Sequence, residues 1–330
     1  MPLSQPPKSH LQSIILGTRG SALARAQTTL VSNFLQQTHP DLRIEQKVIV
    51  TTGDANPALP IHQPTAEASG LFTRQLEEAL LSHDIDSAVH SLKDLPVITP
   101  PGLRLAAILP RASTSDLLLS LQPGGLATLP SQAVLGTSSP RRTEILRQER
   151  DDLRFTSLRG NVPTRLRKLA MNQREHPLDA IVLARAGLER LGYDLKIEDG
   201  RGVFLFEETM LYITELSAML PAPGQGAIAI ETRAEEHSTS AAAYVSALHD
   251  KKTAACVMAE RLLLHHLGGG CHMALGALAT IDERTEHLHL QGIYFPFPGA
   301  PARKGEATGA TAEEVALLVA IQLGEKLASF

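Results

Sequence analysis

The sequence contains no tryptophan, only two cysteines, and aromatic residues at just 4% of its positions. Two cysteines, Cys256 and Cys271, cannot build the disulfide framework of a small secreted scaffold, and they fit a reducing compartment. Scarce aromatics remove the stacking surface on which single-stranded nucleic acid is held. Net charge is scarce too: at −4 the molecule is not a nucleic-acid binder by bulk electrostatics. No apolar run reaches the length of a bilayer-spanning helix, which argues against a membrane partner. Met1 to His10 lacks the apolar core of a signal peptide and the arginine richness of a transit peptide. Residues 1–12 therefore read as a disordered lead, and the protein as cytoplasmic. Walker A, the Rossmann glycine fingerprint and the nucleophile elbow are all missing.

What remains is a globular chain of 330 residues, long enough for two or three domains with their own cores. Ser13 to Leu16 reads as a strand, Gly17-Thr18-Arg19-Gly20-Ser21 as a turn, and Ala22 to Gln36 as a helix with Ser21 as its N-cap. Arg43 to Thr51 is β-branched and alternating, so the start is βαβ and implies parallel pairing. Gly53 to Gly70 has no period and reads as a long surface loop. A helix over Leu71 to His83 and strands at Asp86 to His90 and Arg104 to Leu109 complete a first lobe. The pattern then repeats, with strands at 133–135, 154–157 and 179–183, a turn from Gly136 to Arg142 that runs into a helix to about Glu149, and a further helix with Pro163 at its first position. Ala227 to Glu231 is a strand that can return to the first lobe. After Asp250 the style changes to one helix, two strands (Ala274 to Ile281 and His287 to Phe295), a weaker strand near Lys304 to Thr308, and a last helix: a small α+β domain. The expected division is 13–113 plus 222–240 for the first lobe, 114–221 for the second and 245–330 for the C-terminal domain.

In open α/β sheets, ligands bind beyond the carboxyl ends of the strands. Those positions hold Thr18, Arg19 and Ser21; Ser91, Lys93 and Asp94; Thr137 to Arg142; then Arg159, Asn161 and Arg165. Hydroxyls and cations at helix N-termini are the makings of an anion site. Arg147, Arg150 and Arg167 read instead as a solvated face paired with nearby acids such as Glu144, Glu149, Asp151 and Asp152. Asp94 is a lone carboxylate among these cations. It is either an ion-pair or capping partner, or a group that stabilises a developing positive charge. Gly268-Gly269-Gly270 ends a helix over Thr253 to Leu267 and leads into Cys271, which is either a loop-displayed thiol or a buried one at a strand start. Cys256 sits mid-helix and reads as core. His265, His266, His287 and His289 lack a third ligand of convincing spacing, so no metal is expected.

Taken in order, Gly17-Thr18-Arg19-Gly20-Ser21, Val89 to Pro96, Gly136-Thr137-Ser138-Ser139 with Arg141-Arg142, Ser157 to Asn161, Ala186-Gly187-Leu188, Pro223 to Ala227 and Gly269-Gly270-Cys271 closely resemble the porphobilinogen deaminase family. The resemblance spans residues 13–275. It implies an α/β fold: two periplasmic-binding-protein-like lobes with mainly parallel sheets, plus the small C-terminal domain. It implies a monomeric transferase that joins four porphobilinogen molecules head to tail, releases ammonia and yields hydroxymethylbilane. The implied cofactor is dipyrromethane, attached covalently to Cys271. Asp94 is then the catalytic residue. Lys93, Ser91, Ser138, Ser139, Arg141, Arg142, Arg165 and Gly160 hold the cofactor, and Arg19, Ser21, Arg159, Arg190 and Gln225 the substrate. The chain differs from the family pattern in three places: the loop 54–70 has no lysine, with Thr65 and Ser69 standing where lysines are common; Pro140 replaces a leucine; and Gly192 to Leu220 is longer than in compact relatives. A non-catalytic two-lobed receptor for a small anion is the alternative from another class.

Overall fold

A computed structural model describes residues 13–51, 73–171, 177–234, 241–269 and 273–324. The expected lead 1–12, the loop 53–70 with Thr65 and Ser69, and Cys271 fall outside the described residues.

The first lobe is built on a five-stranded sheet in the order β2-β1-β3-β11-β4. Its strands are β1 (Ser13–Arg19), β2 (Arg43–Ile49), β3 (Ser87–Ser91), β4 (Leu103–Ile108) and β11 (Ile228–Arg233). β1 runs parallel to β2 and β3, and β11 lies antiparallel between β3 and β4. The late strand thus enters the early sheet. Helix α1 (Ala22–Thr38) starts where Ser21 accepts a hydrogen bond from the Ala24 amide at 3.2 Å. It buries Val31 and Leu35 against Ile14, Leu16 and Ile230 on one face of the sheet. Helix α2 (Arg74–Leu81) buries Leu76 and Leu80 on the other. Each such side chain contributes about 1.5–3 kcal/mol by leaving water.

The second lobe carries six strands in the order β7-β6-β8-β5-β10-β9: β5 (Asp116–Ser120), β6 (Val134–Gly136), β7 (Arg154–Thr156), β8 (Ala180–Ala184), β9 (Arg201–Phe206) and β10 (Thr209–Glu215). β6 is parallel to β7 and β8, whereas β5, β10 and β9 add on antiparallel. Both sheets are therefore mixed, parallel only where βα units supply the strands. The segment 192–220, whose extra length gave no pattern, is largely the β9–β10 hairpin. Three helices follow strands of this lobe: α3 (Pro140–Glu149), α4 (Val162–Met171) and α5 (Arg185–Arg190). Pro140 occupies the first turn of α3 behind the Ser139 N-cap, where a missing N–H costs nothing.

Two hinge segments join the lobes side by side. The Ala112 amide donates to the Gly226 carbonyl at 3.1 Å, and the Leu216 amide to the Asp116 carbonyl at 2.9 Å. Gly226 has φ +87°, and a Cβ there would lie 2.6 Å from the Ala112 carbonyl oxygen, so only glycine lets the two segments close up. Beyond helix α6 (Ala241–Ser246) come α7 (Lys251–His266), an antiparallel sheet of β12 (Ala274–Ile281), β13 (Leu288–Phe295) and β14 (Arg303–Gly309), and α8 (Ala312–Gln322). α7 and α8 bury Leu263, Val315 and Val319 on one sheet face. Ile293 and Phe295 pack with Leu118 and Leu146 of the second lobe, and Val257 of α7 with Leu92 and Leu95 of the first. The C-terminal domain thus rests on both lobes.

Candidate active site

β3 delivers its C-terminal end into a single 3₁₀ turn, Leu92–Asp94. Leu92 is fully buried and pins the turn, while Asp94 is exposed. The carbonyls just after the turn are satisfied from another domain. Arg261 of α7, itself buried, donates to the carbonyls of Leu95 at 3.2 Å, Pro96 at 2.6 Å and Val97 at 3.1 Å. Its neighbour Glu260 is fully buried and accepts from Arg111 at 2.6 and 2.9 Å, the Gly224 amide at 2.7 Å and the Ala279 amide at 2.9 Å. A carboxylate with four donors is stable away from water. One helix therefore fixes both the Asp94 turn and the hinge.

Arg19, Ser21, Ser91 and Asp94 line one cavity, with Gln27 and His90 deeper in its wall. Ser91 Oγ is held by the Gln27 amide at 2.9 Å. Lys93 turns toward the hinge, 3.5 Å from Gln225 Oε1. Burial pushes its pKa down to about 8, with the Asp94 charge opposing and Arg142 adding. Arg165 is lowered to about 10 by burial and then by Arg142, with Asp94 opposing. These mutual effects bring Lys93, Asp94, Arg142 and Arg165 into one field, across the gap between the lobes.

Sequence reasoning did not single out Asp116. It is fully buried at the start of β5, where Oδ2 accepts from Arg141 and Oδ1 from Arg142, both at 2.7 Å. Burial opposes its ionisation, but the two guanidinium groups outweigh that and hold its carboxyl well below the usual range. Arg141 also reaches the Leu220 carbonyl at 2.7 Å, and Arg142 the Val182 carbonyl at 2.8 Å. Both arginines are thus interior struts at the N-terminus of α3, not open cleft cations. Two cations on one carboxylate leave an excess positive charge beside Lys93. Gln225 belongs to the same knot, donating to Asp116 Oδ1 at 3.0 Å and the Thr114 carbonyl at 2.7 Å. The signal available for Asp116 was a lone acid heading the apolar run Leu117-Leu118-Leu119.

The remaining expected residues are placed as follows. Ser139 caps α3, and Ser138 Oγ lies 2.9 Å from Ser157 Oγ and 3.0 Å from the Leu158 carbonyl oxygen. Arg165 donates to the Gly160 carbonyl at 2.7 Å, and Gly160 has φ +109°. The Arg159 carbonyl accepts from Lys168 at 3.2 Å. Arg190 donates to the hinge carbonyl of Gly226 at 2.6 Å, and burial lowers its pKa to about 10. Arg147, Arg150 and Arg167 pair with Glu144, Asp152 and Glu207. Among the described residues no cluster of three or more His, Cys, Asp or Glu could hold a metal. Cys256 is buried on α7, and burial followed by the Glu260 charge pushes its thiol up to about 11, so it is a poor nucleophile. Helix α7 ends as the glycine run requires, with Gly268 at φ +70° and the Gly269 amide bonded to the Leu264 carbonyl at 3.0 Å.

Fold and site together define a two-lobed α/β protein whose cleft gathers cations and hydroxyls around one exposed carboxylate, suited to a ligand bearing several carboxylates. The family comparisons agree. Residues 14–241 match the model of the porphobilinogen deaminase dipyromethane cofactor binding domain, and residues 254–329 match that of the porphobilinogen deaminase C-terminal domain. The chain belongs to the porphobilinogen deaminase family. It is 39% identical over 297 residues to the porphobilinogen deaminase of Syntrophomonas wolfei, covering 90% of each chain. It is 41% identical over 307 residues to that of a Roseiflexus species, covering 93% of each. Among solved structures, the methionine binding protein MetQ is a distant likeness, with 13% identity, TM-score 0.41, and 74% of this chain and 92% of that chain covered. No described helix is long and apolar enough to cross a membrane.

Proposed function

We propose that the protein is a hydroxymethylbilane synthase, joining porphobilinogen units head to tail with loss of ammonia. The supporting observation is that Asp94 shares one electrostatic field with Lys93 and Arg165 above a floor that carries excess positive charge. Each porphobilinogen brings an acetate and a propionate, so every added unit needs cations. Lys93, Arg165, Arg19 and Arg159, with Ser21, Ser91 and Ser138, supply charge and hydroxyl donors for them. Arg141, Arg142, Arg190 and Gln225 act from behind, setting the field and the hinge.

The donor set also fits the dipyrromethane cofactor, which carries the same carboxylates. When bound it supplies the pyrrole carbon to which the first unit is added. Cys271 is its attachment point; Cys256, buried and with a raised thiol pKa, is unsuited to that role. Asp94 holds the pyrrole N–H of the incoming substrate and balances the positive charge that develops as its C–N bond breaks. A carboxylate about 4 Å from that charge is worth about 4 kcal/mol at an effective dielectric constant near 20, or roughly 10³-fold in rate. We take the working protein to be a cytoplasmic monomer whose partner is a small molecule and not a nucleic acid.

The test is an intact mass spectrum and a porphobilinogen assay. Wild type carries a mass excess equal to the dipyrrole and forms tetrapyrrole. Cys271→Ala loses the excess, and Asp94→Ala stays folded with kcat down roughly 10³-fold. Unmodified protein that makes no tetrapyrrole would mean a passive anion receptor. Wild-type turnover in Asp94→Ala removes the role given to that residue.

A further inference from the structure

Behind the cleft, the first lobe buries two ionisable groups, His90 and Glu231, on its α2 face, with a third, Glu77, half-buried beside them. β3 and β11 are neighbours, with Ala88 opposite Glu231 and His90 opposite Ala229, so His90 and Glu231 are diagonal partners on one face. Their side chains lie 3.2 Å apart, Nε2 to Oε2, with 3% and 1% of their surface exposed, and neither atom makes a hydrogen bond among the described residues. Glu77, half-buried, approaches from α2: burial raises its pKa, a hydrogen bond with Thr73 opposes, and the Glu231 charge adds. Around them lie Leu76, Ala88 and Leu103. Apolar residues of similar volume are often at least as stable as a buried ion pair, so packing alone does not call for this cluster.

The cluster opens onto the cleft. His90 lines the same cavity as Asp94, Arg19, Ser21 and Ser91, and that cavity has a volume of about 60 Å³, room for several waters. The charged groups facing His90 are Glu231 from β11, Glu77 from α2 and, around the cavity, Arg19 from β1 and Asp94 from the turn.

The deaminase reaction, on which this inference rests, leaves a proton to be handled in every round. The substrate's aminomethyl group reacts as its ammonium: the C–N bond breaks and the electron pair leaves with nitrogen as ammonia. A carbon–carbon bond forms at a pyrrole carbon, whose C–H bond then breaks; its electrons restore the ring and the proton departs. We propose that His90 is a relay residue for that proton. The Asp94 carboxylate takes it up and passes it through the shared cavity to the His90 imidazole, where Glu231 stabilises the resulting cation. The proton returns to solvent by the same path before the next round.

The test uses the full, cofactor-bearing chain with His90→Gln and Glu231→Gln. Two readouts are taken: the pH profile of kcat and KM, and the imidazole NMR titration of His90 in wild type and Asp94→Asn without substrate. The relay predicts kcat down roughly 10²-fold in His90→Gln, KM unchanged, and a limb of the pH profile lost. Glu231→Gln shifts that limb, and Asp94→Asn displaces the His90 titration, because coupling between two protonation sites is reciprocal. A His90→Gln enzyme with the wild-type kcat and pH profile, or a His90 titration indifferent to Asp94→Asn, overturns it. Should His90→Gln fail to fold, the Glu231→Gln profile and the NMR titration decide. A wild-type chain that forms no tetrapyrrole overturns the deaminase reading itself, whereas an active wild type matched by His90→Gln overturns only the relay.

Discussion

Replacing Asp116 by asparagine tests the electrostatic knot beneath the cleft. The carboxylate is fully buried, receives one N–H from each of Arg141 and Arg142 at 2.7 Å, and accepts a third bond from Gln225 at 3.0 Å. An amide of the same shape keeps one acceptor oxygen, turns two donors toward a guanidinium, and leaves two buried positive charges uncompensated. Breaking a buried pair in this way costs about 3–5 kcal/mol, a large share of the 5–15 kcal/mol that roughly spans domain stabilities. Urea unfolding followed by circular dichroism reads that loss. A loss under about 1 kcal/mol refutes the reasoning, since it is the size of an exposed pair. A second variant separates stability from function. Asp116→Leu/Arg141→Met/Arg142→Met removes all three charges at once and regains most of the stability, but not the positive field, so cofactor retention and turnover stay low. The pH dependence has a definite sign. The folded pKa of Asp116 lies below its unfolded value of about 3.9. Its contribution is therefore complete above that value and fades as pH falls below it, and the gap between wild type and Asp116→Asn narrows in acid.

Three further outcomes follow from the geometry. Lys93, with its pKa at about 8, carries its charge below that pH and loses it above; KM for porphobilinogen rises as pH passes through about 8, and Lys93→Arg removes that rise. Arg261→Met strands the carbonyls of Leu95, Pro96 and Val97, the last two part-buried, costing about 2–4 kcal/mol in urea unfolding; kcat falls more than KM changes, because the Asp94 turn is loosened. Gly226→Ala sets a Cβ 2.6 Å from the Ala112 carbonyl oxygen at φ +87°, and its Tm drops by several degrees while Gly192→Ala, with nothing within 4 Å, changes less.

Local chemistry wrote the βα units plainly. Ser21 and Ser139 cap the helices they precede, and Ala274–Ile281 is a strand with the bounds its composition suggested. The residues at the strand ends were legible as one group because position along a βα unit fixes which end they occupy. β5 was not legible: an aspartate heading three leucines has no alternation, and the partners of Asp116 lie 25 and 26 residues away. The β9–β10 hairpin was hidden for a different reason. Its two-residue turn is Glu207-Glu208, with Glu207 at φ +53°, where Asn-Gly or Asp-Gly is the usual signal. Glu260, Arg261, His90 and Glu231 are charged residues facing inward, and a pattern of polar and apolar letters assigns them to the surface.

Helix α7 ties the hinge and the Asp94 turn into parts of one jig. Glu260 bolts it to the hinge and Arg261 to the Asp94 turn. About 8 Å further along, the helix gives way to the glycines before Cys271. A group tethered there starts from a datum set by the helix and not by the opening of the lobes. Any length added beyond the datum must be accommodated on the far bank of the cleft, with Arg165 and the start of α3, which none of those bonds reaches.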